Sequence, residues 1–237
     1  MLESAKQDGI TRLTLANEQR RNALAPGLVR QLSAALETAF HDGSRLVVLS
    51  GRGKAFCAGF DLSDLEEASH GDLLLRLVEI EQLLQLVYHA PIPVIALGHG
   101  PCFGAGADLF AACAHRIAAP DARFMFPGPR FGLVLGTRRL AARVGDDAAW
   151  RIVSTTEKLD ATAALSLGIA TEIAATEDWP SRVESIAASL EPIDVVTHSR
   201  LLAVTKRDHR DADLADLVRS AAAPNFKQQL QSYVAGR

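Results

Sequence analysis

The stretch RLVVLSGRGKAFCAGFDLSDL, residues 45–65, changes character twice within its length. Arg45 to Gly51 is a nearly unbroken apolar run with paired valines, the pattern of a strand covered on both faces. From Ser63 the chain reads as the approach to a helix, with Ser63 and Glu66 at capping-box spacing. Between these parts Ala58, Gly59 and Phe60 fit neither period. Small residues at a strand end leave the main chain open to close approach from outside.

The same series of events recurs in PVIALGHGPCFGAGADL, residues 93–109: a strand, a cluster of glycines, then a helix start. The first amides of a helix have no partner inside it and stand ready for a negative group. If the N–H groups of Phe60 and Ala105 converge on one point, they form a pair of donors suited to an oxyanion.

Outward from these loops the chain alternates. GITRLTLAN reads as a strand, and Asn17 to Asn22 as a turn. Residues 25–43 read as a helix with Pro26 in its first turn and Gly43 past its end. Apolar positions 73, 74, 77, 78, 80, 84 and 87 keep helical period up to the stop at Pro91. Residues 104–118 are helical in their first half and strand-like at HRIAA, with a short apolar piece at Arg123 to Phe126. Strands alternating with helices predict an α/β fold with mostly parallel, buried sheets. After Asp146 the segments 147–155, 161–168, 181–190, 192–204, 211–222 and 225–235 favour helix, with one strand at IATEI. A boundary is therefore expected near residue 190, dividing a core at 1–190 from a helical region at 191–237. Leu201, Leu202, Val204, Leu214, Leu217 and Val218 make that tail too apolar for a solvated appendage, so it is expected to pack on another part or another subunit. Trp150 and Trp179 are expected to fill the join between core and tail.

Composition narrows the function. The 237 residues, 48% hydrophobic and 22% charged, suit a globular protein, and a formal charge of −3 with scattered arginines offers nothing to a nucleic acid. Three cysteines, Cys57, Cys102 and Cys113, show neither disulfide-framework nor metal-ligand spacing, which points to a reducing, cytoplasmic setting and to no metal. Glu3, Lys6 and Asp8 break the start where a signal peptide would be apolar, and no run approaches the ~18 apolar residues of a membrane span.

RRNAL, AFCAGFDL and GAGADL, in that order, resemble the enoyl-CoA hydratase/isomerase family, the crotonase superfamily. The similarity runs over roughly residues 10–175, more loosely into the tail. It implies a spiral of ββα units followed by a C-terminal helical region that assembles trimers or hexamers as dimers of trimers. It implies an acyl-CoA or enoyl-CoA substrate whose thioester carbonyl is polarised by the amides of Phe60 and Ala105. Gly104 belongs to the same turn, and coenzyme A enters only as part of the substrate, with no separate cofactor. Along the expected path of the coenzyme A moiety the resemblance places Arg21, Ala23, Ala58, Asp61 and Leu62. The charge and fork of an arginine suit phosphate, although a turn arginine such as Arg21 is also simply solvated in many proteins.

Asp108 falls where the family carries its first catalytic carboxylate. A helix N-terminus lowers the pKa of an Asp there, whereas burial raises it. The second carboxylate of a hydratase would fall at Gly128, and no Asp or Glu occurs between Asp121 and Asp146. Water addition needs one group for the water and another for the α-proton, so one carboxyl favours double-bond migration or other enolate chemistry over ordinary hydration. Arg130 is a candidate binder of a substrate carboxylate. His99 reads as structural. GHGPCFG could also be read as the dinucleotide loop of a reductase, but that loop belongs to a first βα turn, and Pro101 would interrupt its phosphate cradle. A non-catalytic acyl-CoA-binding protein is the other alternative.

Overall fold

A computed structural model describes residues 1–236. It begins with β1 (Leu2–Gln7) and β2 (Ile10–Leu15), α1 (Pro26–His41), β3 (Leu46–Gly51), α2 (His70–Tyr88), β4 (Val94–Gly98), β5 (Pro101–Phe103) and α3 (Ala105–Ala112). Then come β6 (His115–Ala118), β7 (Arg123–Met125), α4 (Thr137–Val144), α5 (Asp146–Thr155), β8 (Leu159–Asp160), α6 (Ala161–Leu167) and β9 (Glu172–Ile173). The chain ends in α7 (Trp179–Leu190), α8 (Val195–Val204), α9 (Arg210–Ala221) and α10 (Phe226–Ala235).

The strands form two sheets, one in the order β1-β2-β3-β4-β6-β9 and the other β5-β7-β8. From β2 to β9 the large sheet is parallel, and only β1 pairs antiparallel, at its edge. Successive turns give one strand to each sheet, β4 then β5, β6 then β7, so the chain advances as a spiral. The strands are apolar on both faces because both are covered. Val47, Leu49, Val94 and Ala96 point into the main core with α1 and α2, whereas Leu46, Val48, Ile95 and Leu97 meet Val183 and Ala187 of α7.

The helix after the first loop starts later than its sequence suggests. The capping box is Ser69 and Asp72, whose side chains each bond the other's backbone amide. Ser63 instead gives its amide to Asp61 at 3.0 Å in a local turn, and Arg20 holds its hydroxyl. Both serines have an acidic residue three positions on, but only Ser69 stands directly before the apolar period. Trp179 packs against the outer face of the sheet as part of the Ile10 cluster, whereas Trp150 is 73% exposed on α5, so the tryptophans do not fill the join between core and tail.

Of the apolar tail residues, Leu217 is fully buried where α9 packs on α2. α8 buries none of its residues and leaves Val195, Val196, Leu201 and Val204 exposed. Among the described residues no helix is long and apolar enough to cross a membrane.

Candidate active site

The loop between β3 and α2 lies against β5 and the turn that opens α3. Phe56 and Cys57 donate their amides to the carbonyls of His99 and Pro101 at 2.9 and 3.3 Å, and Phe103 returns a bond to Cys57 at 3.0 Å. The Asn17–Leu24 turn holds the other side: the Ala58 amide reaches the Arg21 carbonyl at 2.9 Å, and the Leu24 amide reaches Gly59 at 2.7 Å. Asn22, fully buried, ties this turn to Arg52 and Ala55 through its side-chain amide.

Two glycines permit the approach. Gly59 sits at φ +91°, and a Cβ there would lie 2.5 Å from the Phe103 oxygen and 3.2 Å from the Ala105 nitrogen. A Cβ on Gly106 would meet the Cys57 oxygen at 2.3 Å. The two strand-to-helix loops are therefore in van der Waals contact. Much of their main chain is hydrogen-bonded, with Gly104 donating to Met125 at 2.8 Å. Among the described residues, the amides of Phe60 and Ala105 have no hydrogen-bond partner. Ala105 is the first residue of α3, where the helix leaves its amides free.

Both residues line a pocket of about 690 Å³, part of it open to solvent. Ala58, Leu62, Gly104, Asp108 and Gly128 line it too. Four sequence candidates do not. Arg21 is exposed in a left-handed turn at φ 49°, and Ala23 is buried beside it. Asp61 is buried and paired with Arg20 at 2.9 Å, so Arg20, not Arg21, is the arginine that turns toward the loop. Arg130 does not line the pocket, and its Nε donates to the Thr156 hydroxyl.

Asp108 lies on α3, 6% exposed, and its carboxyl has no hydrogen-bond partner among the described residues. Burial pushes this carboxyl well above the usual carboxylate range; the Arg139 guanidinium opposes the rise and the Glu81 carboxylate adds to it. Those two form a buried ion pair at 2.9 Å behind the site, extended by Asp213 at 2.9 Å. Gly136 fixes the position of Asp108. A Cβ on it would strike Asp108 Oδ1 at 2.1 Å, and its φ of +66° already favours glycine. Gly136 also stands directly before α4 as its N-cap.

Sequence reasoning missed Gly136 and the far wall made by Leu77, Phe131, Leu133, Val153, Leu230 and Tyr233. The glycine before TRRLAARV could have been read as a left-handed helix cap, but its contact with Asp108 had no local signal. His99 bonds the Gly53 carbonyl at 2.9 Å and lies against Trp179 outside the pocket. The glycines around it are filled by backbone: a Cβ on Gly100 would meet the Lys54 oxygen at 2.2 Å, leaving no cradle for a pyrophosphate. Among the described residues no group of three or more His, Cys, Asp or Glu is arranged to hold a metal ion.

The sequence profile of the enoyl-CoA hydratase/isomerase family matches residues 5–231. The "Probable enoyl-CoA hydratase echA6" of Mycobacterium leprae is 38% identical over 197 residues, 79% of this chain and 78% of that protein. A "Probable enoyl-CoA hydratase" of Rhodobacter capsulatus is 36% identical over 187 residues, 77% of this chain and 72% of that one. A crystal structure described as a "putative enoyl-CoA hydratase/isomerase" from Bordetella parapertussis superposes with a TM-score of 0.96 at 43% identity, covering 99% of this chain and 98% of the other.

Proposed function

The chain belongs to the enoyl-CoA hydratase/isomerase family of acyl-CoA enzymes, its fold the crotonase-like spiral, and on that premise we propose that it forms and discharges a thioester enolate with Asp108 as its single proton carrier. A thioester oxygen seated between Phe60 and Ala105 takes a hydrogen bond from each amide. The ionised Asp108 carboxyl removes a proton from Cα; the C–H pair becomes the enolate double bond, and the carbonyl π pair moves onto oxygen. The protonated carboxyl then returns its proton to Cα, or to Cγ when the substrate carries a β,γ double bond, which is double-bond migration. The amides supply stabilisation in proportion to the charge developed on oxygen, worth about 10²–10³ in rate for each donor.

The observation that carries this reading is the pairing of two unspent amides with one unpartnered buried carboxyl on the same pocket. A carboxyl lifted above the usual carboxylate range is a better match to a weakly acidic C–H than an ordinary Asp. Gly128 puts no acid on the facing wall, so hydration is disfavoured. The same feature favours a second reading, an acyl-CoA binder without turnover. Heavy-water incubation with butyryl-CoA, followed by NMR, separates the two. Exchange of the α-protons that is lost in Asp108→Asn supports the enolate reading; binding without exchange leaves the second.

Assembly into trimers or hexamers is part of the proposal, supported by the exposed apolar face of α8. Size-exclusion chromatography with light scattering checks it. A reducing compartment suits Cys57 and Cys113, buried thiols pushed up to about 12 by desolvation and hence inert.

A further inference from the structure

A second and larger cleft shares no lining residue with the pocket of Phe60 and Asp108. It encloses about 1830 Å³, part of it open to solvent, between α4, the end of α2 and the segment that joins α8 to α9. Its cations come from distant parts of the chain: Arg138, Arg139 and Arg143 from α4, Lys206 and Arg207 from the join.

Only some of these charges are neutralised. Arg138 pairs with Asp213 at 3.0 Å and with Asp216 at 2.5 Å, and Arg139 with Glu81 and Asp213 at 2.9 Å each. Arg143 and Lys206 have no carboxylate partner among the described residues. Arg143 gives Nε to the Ala111 carbonyl at 3.0 Å and one terminal nitrogen to Cys113 at 3.1 Å, and Lys206 Nζ donates to the Tyr88 carbonyl. Both cations stand over the Tyr88 ring, 5.3 and 5.2 Å from its centroid. Arg116, buried behind them, likewise bonds only carbonyls and shares that of Cys113.

Capping accounts for part of this arrangement, because Tyr88 ends α2, Ala111 and Cys113 end α3, and cations are favoured at helix C-termini. It leaves like charges crowded together. Burial, then the neighbouring Arg143, push the Lys206 amine down to about 8, and burial holds His89 and His115 in the same lining below the ordinary imidazole range. Donors also remain unspent. The second terminal nitrogen of Arg143 and two of the three Lys206 N–H groups meet no protein acceptor among the described residues. Asp146, the unpaired carboxylate of the lining, is exposed on α5, where water screens it.

We infer that this cleft binds a small phosphate-type anion, with Arg143 and Lys206 as its inner contacts and the exposed Arg207 at its rim. A phosphate takes the planar guanidinium and the ammonium together, and its charge removes their mutual repulsion. The site is separate from the reaction, so it stands or falls independently of the proposed function.

Isothermal titration of the full-length protein with inorganic pyrophosphate and with ADP tests this. Lys206→Met is expected to weaken pyrophosphate by about tenfold or more, the usual worth of a charge-assisted hydrogen bond, and Arg207→Gln by a few-fold. Arg21→Gln, which alters the expected coenzyme A path instead, should leave pyrophosphate affinity unchanged. ADP binding more tightly than pyrophosphate would assign a nucleotide, and equal binding the phosphate group alone; both uphold the site. Should Lys206→Met fail to fold, the wild type carries the test: pyrophosphate should slow reductive methylation of Lys206, read by peptide mass spectrometry, and an unchanged rate overturns the inference. Absence of saturable pyrophosphate binding overturns it too, as does binding that Arg21→Gln abolishes and Lys206→Met leaves intact. An oligomer that binds no pyrophosphate and dissociates in Lys206→Met, seen by light scattering, would replace the anion with a carboxylate of a neighbouring copy.

Discussion

The pocket has two walls built by different rules. One is backbone: Ala58 to Leu62 and Gly104 to Asp108, in contact along their main chains, with glycines at positions where a Cβ would meet a carbonyl oxygen at 2.3–2.5 Å. The other is side chain: Phe131, Leu133, Leu230 and Tyr233, drawn from distant segments, and a Cβ on Gly128 would come no closer than 3.1 Å to the Leu133 oxygen. The difference teaches which parts of the site can vary. The amide wall tolerates almost no change in shape and, on the proposed reading, fixes where a carbonyl oxygen sits, whereas the side-chain wall can be recut without disturbing that position.

Substitutions can break this contrast or sharpen it. The largest effect should come from Asp108→Asn, which keeps the volume and removes the base: α-proton exchange should fall by about 10²–10⁴, the usual worth of a positioned acid-base group, with thioester affinity nearly unchanged. Gly136→Ala should move exchange toward the same level by displacing the carboxyl, although it touches no substrate atom. Ala105→Pro removes one amide at the first position of a helix, where proline is tolerated, and should lower exchange by about 10²–10³ while circular dichroism stays native. If it left exchange intact, the backbone wall would be mere scaffolding.

A gentler probe is stability against pH. Because burial raises the Asp108 carboxyl in the folded protein, the folded form holds that proton more tightly than the unfolded chain. Its contribution is full below the ordinary carboxylate range and is lost as pH rises toward the lifted value. Chemical denaturation should therefore show Asp108→Asn gaining on wild type as pH rises from about 4 toward the lifted value. The smallest effect belongs to the frame outside both walls: Ser69→Ala should cost about 1 kcal/mol through loss of the α2 cap, with exchange kinetics unaltered, and Ser63→Ala should cost less.

The contrast between the walls also explains what could be read in advance. Alternating strands and helices made the α/β architecture legible, because apolar period and glycine punctuation are local signals. The backbone wall was legible for the same reason: short glycine motifs after strands mark a main chain that must be approached, and the family resemblance rested on them. Less could be foreseen where contact crosses the chain. β1 carries an exposed, polar edge-strand pattern, and β5 has only the three residues Pro101–Phe103. Arg130, a candidate carboxylate binder near Gly128 in sequence, does not line the pocket, and its Nε bond to Thr156 crosses to a distant segment. Gly136 beneath Asp108 and Tyr233 on α10 gain their roles only from tertiary packing, and no periodicity announces them.

The central claim is that two peptide N–H groups polarise a thioester carbonyl, and isotope-edited infrared spectroscopy of a bound acyl-CoA labelled with carbon-13 at that carbonyl tests it most directly. The account predicts a stretching band displaced to lower frequency than in free acyl-CoA, with the displacement reduced in Ala105→Pro. A band at its solution frequency in the saturated wild-type complex, or a displacement indifferent to the loss of the Ala105 amide, would contradict it.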